Sequence, residues 1–170
     1  MNLQFLGDSY DLVKRFFVGA LRELGYEVVA DPMFTDVWAT PATYYQLIGA
    51  LDRQVGSNLA IKAALLLDPD TGIREKPSKQ HVSFQRIADA TRRYRLVCSF
   101  DQSFARGKDV SQAIQTKLKI FHDLGLVAMY YDSHARFLFA SREQPLVDEL
   151  RQHLRGVGIP TSRLLLNGEF

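Results

Sequence analysis

With 170 residues, 46% of them hydrophobic and 24% charged, the chain is long enough for one domain with a sizeable core and is expected to form one over residues 1–170. A net charge of +2 is too small to mark a nucleic-acid binder by itself, although arginine outnumbers lysine 14 to 7, a bias that suits bidentate contacts to phosphate. One cysteine excludes an internal disulfide, four scattered histidines argue against structural zinc, and no apolar run approaches the ~20 residues of a membrane span.

Residues 3–6 form a short apolar strand candidate ended by Gly7-Asp8. Ser9 is then placed to cap a helix through residue 24, whose apolar positions Leu12, Val13, Phe16, Phe17, Ala20, Leu21 and Leu24 follow the 3.6-residue period, with Gly25 as its stop. Residues 26–30 are β-branched enough for a second strand, broken by Asp31-Pro32, and residues 33–38 have no period and predict a loop carrying Phe34 and Trp38. Pro41 opens a second helix to about residue 55, before Gly56. Residues 61–67 do not alternate, which predicts a strand buried on both faces, and they deliver Asp68-Pro69-Asp70-Thr71-Gly72 to its end.

Residues 74–81 are the most polar in the chain and predict an exposed, mobile loop. A third helix is expected over 82–93, and a strand over 94–100 that contains Cys98 as a small core residue and ends at Asp101. After a loop at 102–109, a fourth helix runs over 110–124 to Gly125. Residues 127–131 and 136–140 flank Asp132-Ser133-His134-Ala135 as a hairpin, 145–155 make a last helix, and the tail from Ile159 adds an edge strand or packs. The N-terminus lacks the basic flank and apolar stretch of a signal peptide, so a cytoplasmic protein without membrane attachment is expected; oligomeric state stays open.

Strands alternating with helices predict a three-layer α/β fold with a mostly parallel, Rossmann-like sheet and a C-terminal antiparallel hairpin. In such a sheet ligands bind outside the carboxyl ends of the strands, where apolar runs here break at Asp8, Asp31, Asp101, Asp132 and the Asp68/Asp70 turn. Carboxylates gathered closely repel one another, and a divalent cation relieves this. Asp8, Asp68, Asp70 and Asp101 are the expected ligands of Mg²⁺ or Mn²⁺, which would polarise a phosphoryl oxygen and activate water. Asp68, Asp70, Lys14 and His134 are the catalytic candidates, and Ser103, Arg106 and Arg136 the candidates for contacts to substrate. The expected activity is metal-dependent phosphoester hydrolysis, with a nucleotide or nucleic acid as substrate. The alternative is a non-catalytic module whose acidic rim meets a basic partner, with Tyr130, Tyr131 and Phe137 at its interface.

Two segments resemble the haloacid dehalogenase phosphatases. Leu66-Leu67-Asp68-Pro69-Asp70-Thr71-Gly72 looks like their nucleophile motif, in which one Asp attacks phosphorus and the Asp two residues later is the acid. Gly7-Asp8-Ser9-Tyr10-Asp11 looks like their metal-binding motif. Thr71 and Gly72 stand in the opposite order to that family's pattern, and the motifs occur in reversed chain order, so the resemblance implies chemistry rather than membership. Gly7-Asp8-Ser9 also resembles the Gly-Asp-Ser esterases, which would make Ser9 a nucleophile with His134 as base, and Asp68-Pro69 is similar to the Asp-Pro-Pro-Tyr loop of amino methyltransferases. Over most of its length the chain resembles uncharacterised prokaryotic proteins that pair a Gly-Asp-x-x-Asp helix start with a Leu-Asp-Pro-Asp-(Thr or Asn)-Gly turn. The matching positions are Gly7, Asp8, Asp11, Asp68, Pro69, Asp70, Thr71 and Gly72.

Overall fold

The computed structural model describes residues 5–34, 41–54, 62–76, 78–104 and 109–169. Helix α1 (Ser9–Glu23) begins one residue after its true cap: Asp8, in extended conformation, accepts hydrogen bonds from the amides of Tyr10 and Asp11 at 2.8 and 3.1 Å. Ser9 is therefore the first helical residue and not the cap, because a carboxylate one position earlier satisfies the same orphan amides. Phe5 and Leu6 lie in a turn rather than a strand, and residues 3–4 of that expected strand fall outside the described residues. Gly25, at φ +81°, turns the chain into strand β1 (Glu27–Asp31).

Helix α2 (Pro41–Ile48) is shorter than its apolar pattern suggests. Gly49 takes φ +76° and ends it, after which β2 (Leu51–Asp52) pairs in parallel with β1, Leu51 opposite Val29. Strand β3 (Ala63–Leu67) is buried at every position, as its unbroken apolar run requires. The described residues of the polar stretch after it, 75–76 and 78–80, are exposed and outside any strand, as expected, but its two ends were not foreseen: β4 (Gly72–Arg74) and β5 (His81–Ser83) form a small parallel pair, and Ser83 caps α3 (Phe84–Ala90) by accepting from the Arg86 amide at 3.1 Å.

Strand β6 (Leu96–Phe100), helix α4 (Val110–Asp123) capped by Asp109, and the hairpin β7 (Val127–Tyr131) and β8 (Phe137–Ser141) follow the expected order. Helix α5 (Gln144–Gly156), a 3₁₀ turn at Thr161–Arg163 and β9 (Leu164–Leu166) complete the described chain.

The large sheet has the order β2-β1-β3-β6-β8-β7-β9. β2, β1, β3 and β6 are parallel, β8 runs against both β6 and β7, and β9 runs against β7, so five of the seven strands point one way. Alternation along the strands sorts the core into two layers. Ala64, Leu66, Cys98 and Phe139 pack with α1, α2 and α5, whereas Leu65, Leu67, Val97 and Leu138 pack with α3 and α4. The chain is thus a layered α/β fold with antiparallel strands toward its C-terminal end. No helix among the described residues is long and apolar enough to cross a membrane.

The crossovers that leave β1 and β3 go to opposite faces, through α2 and α3 respectively, and the two strands are neighbours. A crevice opens between the carboxyl ends of such a pair. Because α1 runs antiparallel into β1, its N-terminus returns over the same edge, which brings Asp8, Asp11 and Lys14 toward the end of β3.

Candidate functional site

The first residue past β3 continues that strand's alternation. Asp68 follows Leu66 toward the α1 face and is closed off from solvent. Lys14 reaches it from the second turn of α1, its Nζ donating to Asp68 Oδ2 at 2.8 Å and to Asp11 Oδ1 at 2.7 Å. The Tyr44 hydroxyl, from α2, donates to the same Asp68 oxygen at 2.9 Å, and the Gly7 amide donates to Asp11 Oδ2 at 2.8 Å. Asp11, Lys14, Tyr44 and Asp68 are all buried, so Asp11–Lys14 is an interior ion pair and not a solvated surface one.

Among the described residues, two carboxylates share one ammonium in this cluster. Burial pushes the Asp68 carboxyl above its ordinary range against the pull of Lys14 and the Tyr44 hydrogen bond. Burial also works against the Lys14 ammonium, but Asp68 and Asp11 outweigh it and hold the lysine above its usual value. Burial, with Asp68 beside it, keeps the Tyr44 phenol neutral far above pH 10.0. Two of these groups, Lys14 and Asp68, line a pocket of about 240 Å³, with Asp8 and Asp70 also on its polar side and Phe5, Tyr10, Pro69 and Phe100 on its apolar side.

Asp101 does not join them, and strand register gives the reason. Leu67 of β3 is level with Ser99 of β6, so Asp68 is level with Phe100, and Asp101 lies one residue further on. A one-residue step turns a side chain to the other face of the sheet. There Asp101 accepts from Lys117 Nζ at 2.5 Å, the Tyr130 hydroxyl at 2.7 Å, the Ser103 hydroxyl at 2.7 Å and the Ile73 amide at 2.9 Å. The result is a second Asp–Lys–Tyr cluster on the α4 side. Burial pulls the Lys117 ammonium below its usual value in spite of Asp101.

The remaining acids of the edge also have cations beside them. Asp31 takes Arg53 and Arg86 at 2.6 and 2.8 Å, and Asp132 takes Arg136 at 2.9 Å. Arg136 also lies 5.0 Å from the centre of the Phe104 ring, on the same side as Ser103, which sits 2.9 Å from Lys117 Nζ. Arg106 falls outside the described residues. His134 is exposed on the hairpin, stacks on Tyr10 with ring centres 5.3 Å apart, and pairs through Nε2 with the Tyr10 hydroxyl at 3.0 Å; Ser9 is not its partner. It therefore adjoins the pocket through Tyr10.

Among the described residues no group of three or more His, Cys, Asp or Glu is placed to hold a metal ion. A preformed centre made by Asp8, Asp68, Asp70 and Asp101 together does not fit this arrangement: Asp101 faces away, Asp68 is engaged by Lys14 and Tyr44, and one oxygen of Asp8 caps α1. What does fit is a pair of half-buried carboxylates, Asp8 and Asp70, on one pocket wall, the number Mg²⁺ commonly takes from protein when it arrives with a phosphate.

Tyr44, Lys117 and Tyr130 were not expected in either cluster. The signal for Lys117 was present: it falls in the apolar stripe of α4 between Ile114 and Phe121, where a lysine has to find a buried partner. Comparison with known proteins found no family model, no curated protein and no solved structure that matches this chain.

Proposed function

We propose that the chain hydrolyses phosphoesters of nucleotides or nucleic acid at the pocket behind Asp8 and Asp70, with Mg²⁺ or Mn²⁺ entering together with the substrate. The observation that supports this most directly is the charge of the pocket: among the described residues that line it, one ammonium, Lys14, stands with the carboxylates of Asp8, Asp68 and Asp70, and Lys14 is shared with Asp11 behind it. A phosphate approaching alone is repelled, whereas a phosphate carrying a divalent cation is not.

When bound, the cation supplies polarisation of a phosphoryl oxygen and acidification of water. Asp8 and Asp70 are the residues that would hold it. Lys14 fixes Asp68 in one orientation, and burial, which raises the Asp68 carboxyl, favours the protonated form that could pass a proton to the leaving oxygen. Phe5, Tyr10, Pro69 and Phe100 exclude water from that side.

The test is turnover of single-stranded DNA, RNA and a small aryl phosphoester with Mg²⁺, with Mn²⁺ and with EDTA. Asp70→Asn is expected to abolish metal-dependent turnover while the urea midpoint is unchanged. Full activity in that variant, or activity indifferent to EDTA, removes Asp70 and the cation from the reading. The same acid-lined pocket also suits a non-catalytic module that captures a basic side chain of a partner. That reading predicts no turnover, and a thermal midpoint that rises with an alkylguanidine rather than with Mg²⁺.

A further inference from the structure

We propose that the groove between β4, β5, α3 and α4, on the face of the sheet opposite the Asp68 pocket, is a second binding site that takes a small phosphate-bearing anion. Its volume is about 1030 Å³, ample for a ligand of nucleotide size. Ile73, Phe84 and Ile120 make its floor, and Arg74, Lys76 and Lys117 bring positive charge to it.

The charges at this groove differ from those along the rest of the edge. Arg53 and Arg86 are paired with Asp31, and Arg136 with Asp132. Arg74 and Lys76 are exposed and make no ion pair among the described residues. The groove's own acids are Glu75 and Asp109, and Asp109 spends one oxygen on the amides of Ser111 and Gln112 at the start of α4. An arginine and a lysine with no ion-pair partner among the described residues, beside a cleft that also carries the Ser78 hydroxyl, match the charge and donors that a phosphate dianion needs.

His81 adds an independent observation. Its Nδ1 lies 2.9 Å from the Ser78 hydroxyl, while its Nε2 is shut off from solvent and has no hydrogen-bond partner among the described residues. A buried imidazole nitrogen without a partner is costly, and a small shift of the His81 ring toward the groove that the residue lines would let a ligand satisfy it. Burial and the nearby Arg74 and Lys117 hold the imidazole below its usual pKa, with Asp101 pulling the other way. Lys117 is held down by burial against Asp101, with Arg74 and Arg136 adding to the depression. Arg74 thus bears on both groups, with burial the larger cause of each shift.

The lining argues for a small ligand over a nucleic-acid strand. Phe84 is the one Phe, Tyr or Trp among its described lining residues and is itself buried, and His81 adds a single imidazole, so successive bases would have no stacking platform.

The experiment is a titration of the whole chain with inorganic phosphate, with adenosine monophosphate and with a short single-stranded oligonucleotide. Divalent cations are omitted and ionic strength is held constant, so the outcome is independent of the Asp68 pocket. Asp70→Asn is expected to leave binding unchanged. Phosphate or the nucleotide should raise the thermal midpoint and move the His81 imidazole titration, followed by NMR, to higher pH. The double variant Arg74→Ala/Lys76→Ala, altered only at exposed positions, should bind at least about tenfold more weakly. Equal affinity for both probes assigns the site to phosphate itself, and tighter nucleotide binding assigns it to a nucleotide. The proposal is overturned by no binding at millimolar ligand, by undiminished binding in the double variant, or by preference for the oligonucleotide.

Discussion

A methyl group at residue 72 has nowhere to go. A Cβ on Gly72 would lie 2.1 Å from Asp101 Oδ1 and 2.8 Å from the Gln102 amide, and the residue's φ of +125° is one that side chains other than glycine's rarely allow. Gly72→Ala should therefore destabilise the fold by about 2–4 kcal/mol, read as a lower urea midpoint. A midpoint within error of the parent would mean that β4 is not docked on the end of β6. Lys14 poses the converse problem. Lys14→Met leaves Asp11 and Asp68 buried without their cation and should cost about 3–5 kcal/mol, of which Asp68→Asn in the same chain recovers a part. Strict additivity of the two substitutions would show that the pair is not coupled.

At the level of elements, Asp8 and Asp109 start the two helices that carry Lys14 and Lys117. Replacing either by alanine removes a cap and should cost about 1 kcal/mol, and the double variant about the sum, since α1 and α4 lie on opposite faces of the sheet. Denaturant curves without metal measure this apart from any effect on catalysis. The same helices show what was legible in the sequence. α1, α4 and α5 follow the 3.6-residue period and stop near glycine, so their extents were close to expectation. The pair β4–β5 was not legible, because three-residue strands carry no period. They exist through tertiary bonds, such as the Ile73 amide to Asp101 and the Gln102 amide to the Thr71 carbonyl at 3.0 Å. The gathering of aspartates at one edge could be read, but the separation of Asp101 from Asp68 could not. It depends on how β3 and β6 are aligned, which neither strand's residues state alone.

For the molecule as a whole, protons held by the fold set its response to alkali. Burial pushes the Cys98 thiol from 9.0 up to about 12, and the Tyr26 phenol from 10.0 up to about 12; Tyr44 and Tyr130 are held well above 10.0, and Lys14 above 10.5. Above those ordinary values the unfolded chain has lost protons that the folded chain keeps, so the folded state binds more and stability falls as pH rises. The contribution is complete below about pH 9 and is lost from there toward pH 12. Lys117, shifted down, acts in the opposite sense, but it is one group against those five and the Tyr45 phenol, which burial also pushes up. Urea midpoints measured from pH 8 to pH 11 should decline, and a flat profile would contradict the burial of these groups.

The place of β8 in the sheet has a consequence for synthesis. It fills the slot between β6 and β7, strands that α4 links directly. A growing chain that has not yet reached residue 141 presents β6, buried at all five positions in the finished fold, as an open template, and β7 alone cannot cover it. The late hairpin has to wedge in sideways, so nascent chains halted before that point should aggregate or lean on chaperones.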